Sequence, residues 1–160
     1  MKDVATEIEQ KIVQIDHTHS TPATTRMVLP VDSQGQNELH RAAWSGNVLT
    51  VEELLEAGAN VDARDKNGAT ALIEAARKGK ADAVKMLIEA GADVNAAANF
   101  GNTALSWAAR KGREYIVQML LDAGADVHKA NKDGVTALKN AMHYSKVEVA
   151  KMLREAGAVK

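Results

Sequence analysis

Gly35, Gly68, Gly101 and Gly134 recur at a constant step of 33 residues, and Gly58, Gly91, Gly124 and Gly157 keep the same step. A third series, Gly46, Gly79 and Gly112, has Ser145 at its next place. The three interleaved series use all 11 glycines of the 160-residue chain. Self-similarity at a period of this size means one supersecondary unit repeated, here four times. Stacking of neighbours is then what completes the core, because a single unit cannot bury its own apolar face.

Each unit reads the same way. A Gly opens a turn, and two residues later comes Asn37, Thr70, Thr103 or Thr136, whose side-chain oxygen is suited to accept from free amides of a first helical turn. An Ala-rich helix of about two turns follows, such as Ala71 to Lys78, and the next comb glycine stops it, because left-handed backbone is least strained in Gly. A second helix carries Val84, Leu87 and Ile88, or Ile116, Val117, Leu120 and Leu121, at the i, i+3, i+4 spacing of one apolar face. Short segments such as Ala92–Asn95 and Ala125–His128 are expected to be extended and to lead into the next turn. Ala42–Ala43, Ala75–Ala76 and Ala108–Ala109, with Ala141–Met142 in the last unit, mark where two helices approach closely.

The motifs G-x-T-A-L-x-x-A-A-x-x-G and L-L-x-x-G-A-D-V-x, recurring in register over about Asp32 to Lys160, resemble the ankyrin-repeat family. The resemblance implies an all-α solenoid of about four helix-turn-helix repeats with short β-turn tips, spanning 32–64, 65–97, 98–130 and 131–160. An N-terminal helical and linker segment, 1–31, precedes it. Two departures stand out. Ala71, Ala104 and Ala137 replace the family's usual Pro, and Ala is a good helix former. The family's His survives only as His40, with Ile73, Ser106 and Lys139 elsewhere, so the bracing Thr–His contact is expected to be missing from the inner repeats. Arg154, in the register of Leu55, Ile88 and Leu121, and Glu53, in that of Met86, Met119 and Met152, read as charges turned to water on the terminal units. That pattern reads as a complete four-unit array.

Before the array, Val4, Ile8, Ile12 and Ile15 share one face of an amphipathic helix over Asp3 to Gln14. The first reading is a cap packed on the first repeat; a partner-binding or self-association helix and a frayed end are the alternatives. His17 to Thr25 is polar, contains Pro22 and reads as a linker.

Composition narrows the function. Hydrophobic residues are 46%, charged residues 26% and the net charge is −1, which describes a folded, soluble chain without a global field for nucleic acid or anionic membrane. With no cysteine there is no disulfide or zinc–thiolate site, and neither a membrane-spanning run nor a signal-like N-terminus is present, so the expected location is cytoplasmic. Asp16, His17 and His19 are close in sequence, but a metal site needs three or four fixed ligands and a linker supplies no frame. No phosphate loop, Cys nucleophile or serine elbow appears, and His40, His128 and His143 belong to separate units. No catalysis, cofactor or metal is expected.

In the family this chain resembles, partners dock on the turn tips and the exposed edges of the first helices, the concave side. Carried over by position, the tips give Lys66, Asn67, Asn99, Phe100, Asn102, Lys132 and Asp133. The helices give Arg41, Trp44, Arg77, Lys78, Trp107, Arg110, Lys111, His143 and Tyr144. Arg77–Lys78 and Arg110–Lys111 are expected to stack as a basic ladder, against the plainer reading of solvated charge. Only five aromatics exist, and four of them, Trp44, Phe100, Trp107 and Tyr144, fall on this face; Tyr115 is expected on the outer side. The plainer role for Trp44 and Trp107 is filling gaps between helices. Exposed aromatics beside Arg have the composition of an interface anchor.

The leading expectation is therefore a non-catalytic module that binds a protein or peptide through the concave face, as a monomer, with residues 3–15 the segment for any self-association. Binding of nucleic acid or another polyanion in a basic groove is one alternative, opposed by the near-zero net charge and by Glu52, Glu53, Glu56, Glu89 and Asp122 on the second helices. An engineered scaffold is the other, opposed by the differences among the units.

Overall fold

The computed structural model describes residues 28–159. The helix expected over Asp3 to Gln14, the linker and the Asp16–His19 cluster lie outside them. Among the described residues eight helices form four hairpins: α1 Glu38–Ser45 with α2 Val48–Glu56, α3 Ala71–Lys78 with α4 Ala81–Glu89, α5 Ala104–Lys111 with α6 Glu114–Asp122, and α7 Ala137–His143 with α8 Val147–Glu155. First helices pack in a row, α1–α3–α5–α7, and second helices in a parallel row, α2–α4–α6–α8. This is the repeating all-α array that the glycine period implies.

The core consists of columns, one residue per unit. Leu39, Leu72, Leu105 and Leu138 form one, Leu54, Leu87, Leu120 and Leu153 a second, and Val51, Val84, Val117 and Ala150 a third, all buried. Each buried leucine contributes about 1.5–3 kcal/mol. Between first helices the fully buried residues are Ala43, Ala75, Ala76, Ala108, Ala109 and Ala141, whose methyl groups let the backbones come close.

Helix starts follow the sequence reading. Asn37, Thr70, Thr103 and Thr136 accept from the amides of His40, Ile73, Ser106 and Lys139 at 3.1–3.3 Å. In the first repeat the His40 Nδ1 accepts from the Asn37 amide, which leaves Nε2 to donate to the Ala69 carbonyl of the next unit at 3.1 Å. The inner repeats lack the histidine contact, but Ser106 Oγ accepts from the Thr103 amide at 2.9 Å and closes the same kind of reciprocal box in the third repeat.

Helix ends join neighbouring units. Gly46, Gly79 and Gly112 are left-handed, and a Cβ on any of them would lie under 3 Å from the side chain of Lys80, Arg113 or Lys146 of the following unit. Those three basic residues occupy the N-cap of α4, α6 and α8 and make no side-chain capping bond there. Asn47, at the same register in the first unit, does cap its helix, accepting from Thr50 at 3.4 Å. The inner units thus give up a local cap for a cationic side chain laid over the C-terminal end of the preceding first helix, where positive charge is favoured. In the last unit Ser145 takes the glycine position, the one non-glycine with positive φ among the described residues, at 54°.

The turn tips are tied by main-chain bonds. Lys66 donates to the Gln34 carbonyl at 2.9 Å, Asn99 to that of Asn67 at 2.8 Å and Lys132 to that of Phe100 at 3.0 Å. Asp32, Asp65 and Asn131 each brace their own tip by accepting two amides, from residues two and four positions on, at 2.9–3.0 Å. The Gln36 amide, then the Gln34 amide and Arg41, hold the Asp32 carboxyl below its ordinary range, against the opposing effect of desolvation. Ala98 stands at this place in the third repeat, and its methyl side chain can accept nothing. The expected extended segments Ala92–Asn95 and Ala125–His128 form no strand, and their second halves, Val94–Asn95 and Val127–His128, are turns. Asp93 and Asp126 there accept from the amides of Asn95 and His128 at 2.9 and 2.8 Å, and this local side-chain bond bends the chain.

Arg154 faces water as expected. Glu53 does not: it is half-buried, in register with Met side chains that pack on the core, and its Oε2 is sealed with no hydrogen-bond partner among the described residues.

Three substitutions check this assembly. Ala98→Asp supplies the missing acceptor and is expected to stabilise the chain by about 1 kcal/mol in urea unfolding. Gly112→Ala places a Cβ at φ 68° and 2.8 Å from the Lys146 stem and is expected to cost at least about 1–2 kcal/mol. Ser145→Gly, at the uncrowded equivalent, is expected to gain up to about 1 kcal/mol.

Candidate binding face

The first-helix row determines which side chains share the concave surface. Register positions one turn apart give Arg41 and Trp44 on α1, Glu74, Arg77 and Lys78 on α3, and Trp107, Arg110 and Lys111 on α5; Asn140 and His143 on α7 lead to Tyr144. The Ala columns on the opposite side of each helix bring these groups within reach across the unit boundary.

Cations and aromatic rings interleave there. Lys78 Nζ lies 4.5 Å from the Trp44 ring centroid, and the Arg77 guanidinium 5.8 Å from that of Trp107. The Arg110 guanidinium lies 5.3 Å from Trp107 and 4.8 Å from Tyr144, whose ring meets His143 edge-on at 4.8 Å. Each such contact contributes about 0.5–1 kcal/mol where solvent is near. Aromatic rings are thus interleaved with the cations of the expected basic ladder, and each ring offers an attraction that offsets part of the repulsion between neighbouring cations. Arg77 is also bound to the buried Glu74 carboxylate, and its Nε is sealed without a partner.

Two adjoining cavities line the face. One of about 600 Å³ runs between the third and fourth units, lined by Phe100, Asn102, Ser106, Trp107, Arg110, Asn131, Asp133, Val135, Lys139, Asn140, His143 and Tyr144. The second, of about 350 Å³, shares Phe100, Asn102 and Trp107 with the first and adds Gln36, Asn67, Ala69, Ile73, Glu74, Arg77, Ala98 and Asn99. Trp44 is 46% exposed, Phe100 48% and Tyr144 39%, while Trp107 is half-buried, with one part on the core and another open to both cavities. Tyr115 on α6 is exposed, as read from the sequence.

Not every expected residue joins them. Arg41 and Trp44 line a separate cleft at the first unit, where Arg41 pairs with Asp32 at 3.1 Å and Glu38 at 3.7 Å. Lys66, Lys111 and Lys132 are exposed and line none of these cavities, and Lys78 is spent on Trp44. Arg64, at the tip, donates to the Gly68 and Ala97 carbonyls and so ties tips together. The cavities add Gln36, Asn131, Lys139 and Asn140, which sequence reading left out. Gln36 shares its register with Ala69, Asn102 and Val135, and Asn140 shares that of Arg41, Glu74 and Trp107, so the 33-residue step held the signal for both.

Among the described residues no helix is long and apolar enough to cross a membrane, and no three His, Asp or Glu side chains are grouped to hold a metal ion. A comparison with curated proteins gives no match. The family model described as ankyrin repeats in three copies matches residues 39–131 and 97–160, most of the chain and all four hairpins. Together with the stacked helix hairpins, this match shows that the chain belongs to the ankyrin-repeat family.

Proposed function

We propose that this chain is a non-catalytic recognition module that holds a protein or peptide segment along its concave face, in the cytoplasm. Ankyrin repeats are in general protein–protein interaction modules. The reading of this particular face rests on one observation: the rings of Trp107 and Tyr144, each already in contact with a cation of the repeat array, line two joined cavities together with the half-open Phe100. Rigid aromatic anchors next to arginine lose little freedom on binding and exclude water well. The array from 32 to 160 would carry the site and residues 1–31 would form a separate segment. Trp107 and Tyr144 would be the central anchors, with Phe100, Asn102, Asn67 and Asn99 shaping the groove from the tip side.

Polyanion binding gains no support from the site. Arg41 and Arg77 have internal carboxylate partners, so the face offers fewer open cations than its sequence suggests.

The test uses peptides selected on the wild-type chain from a random library. Trp107→Ala combined with Tyr144→Ala is expected to weaken the selected peptides by 30-fold or more, about 2 kcal/mol, while circular dichroism keeps its helical signal. Unchanged affinity in the folded double variant would place the binding surface elsewhere.

A further inference from the structure

The three arginines of the concave face differ in one respect. Arg41 pairs with Asp32 and Glu38, and Arg77 pairs with Glu74. Arg110 has neither a carboxylate within salt-bridge distance nor an acceptor for its N–H groups among the described residues. The cause is legible in the register. An acid stands three residues before Arg41 and before Arg77, Glu38 and Glu74, and makes the internal ion pair. Before Arg110 that place holds Trp107, so the guanidinium gains a ring and loses its counter-ion. Tyr144 of the next unit presents a second ring at 4.8 Å. The rings offer no carboxylate or carbonyl to the guanidinium N–H groups, and Arg110 lines the larger cavity.

We propose that Arg110 is the docking point for a carboxylate of an aspartate or glutamate side chain in the bound peptide. The proposal rests on the concave-face reading above. A guanidinium in contact with two rings is preorganised, so forming two parallel N–H to carboxylate bonds costs it little side-chain freedom. The charge balance of the cavity agrees. Its cations are Arg110 and Lys139, the latter tethered to the Gly134 carbonyl at 2.9 Å, and Asp133 on the tip is the one carboxylate lining it. A peptide acid directed at the helix wall meets Arg110 away from its own tip, with apolar neighbours placed against Phe100 and Trp107.

The experiment selects peptides from a random library on the full chain and measures their affinity for variants. The selected peptides are expected to share an acidic position. Arg110→Gln is expected to weaken them about 10- to 100-fold, and Arg110→Lys less. Lys151→Gln, the same charge change on the exposed side of α8, is expected to leave them unaltered. Changing the peptide acid to its amide is expected to weaken wild-type binding by a similar factor and to cause no further loss with Arg110→Gln. Peptides that tolerate Arg110→Gln but are lost with Trp107→Ala and Tyr144→Ala would overturn the carboxylate contact and leave the concave reading standing. Peptides indifferent to all of these changes, or no selected peptide, would overturn both. A dimer in light scattering that Arg110→Gln dissolves would overturn the proposal in favour of a second copy of the chain.

Discussion

Close approach of neighbouring first helices is the contact on which the remaining structure depends. Alanines at Ala43, Ala75, Ala76, Ala108, Ala109 and Ala141 are buried completely, and any larger side chain would push the units apart. The same approach brings Lys80, Arg113 and Lys146 over the glycines of the unit before, and lets the tips share main-chain bonds. A solenoid held by nearest-neighbour contacts has no other means of keeping its surface in register. The position of Tyr144 relative to Trp107 and Arg110 follows from this spacing, since Tyr144 belongs to the fourth repeat and the other two to the third.

The units are alike in backbone and unlike in charge placement. Glu74 neutralises Arg77 inside the second repeat, whereas the third repeat puts an indole at that register and the fourth an amide, Asn140. Polar character along the groove therefore changes from internally satisfied at one end to open at the other. Small substitutions on an unchanged scaffold are enough to give such an array a preferred end for a partner, without altering a single core column.

Much of the fold was legible because period, cap and stop agree. Thr70 and Gly79 bracket Ala71–Lys78 as the sequence suggested, and Thr103 and Gly112 bracket Ala104–Lys111. Side-chain bonding was harder to read. Asp93 and Asp126 put a turn into the second halves of the segments that read as extended, because an aspartate can bind its own neighbouring amide in place of a strand partner. Ser106 restores a brace that the loss of histidine seemed to remove. The Glu74–Arg77 pair lies at helical spacing and was visible in principle, yet it changes the meaning of the site: a residue expected to be an open charge is already neutralised. Glu53 reads as an outward charge from the sequence because register reveals which column a residue joins, not how deeply that column is covered at the first unit.

The central claim is that unit spacing creates a single recognition surface on the first-helix side. Amide chemical-shift mapping with a peptide selected on the chain tests it directly. The account predicts that perturbations gather on α3, α5, α7 and the tips around Phe100 and Asp133. Perturbations concentrated on Lys85, Gln118 and Met119, along the second-helix row, would contradict it.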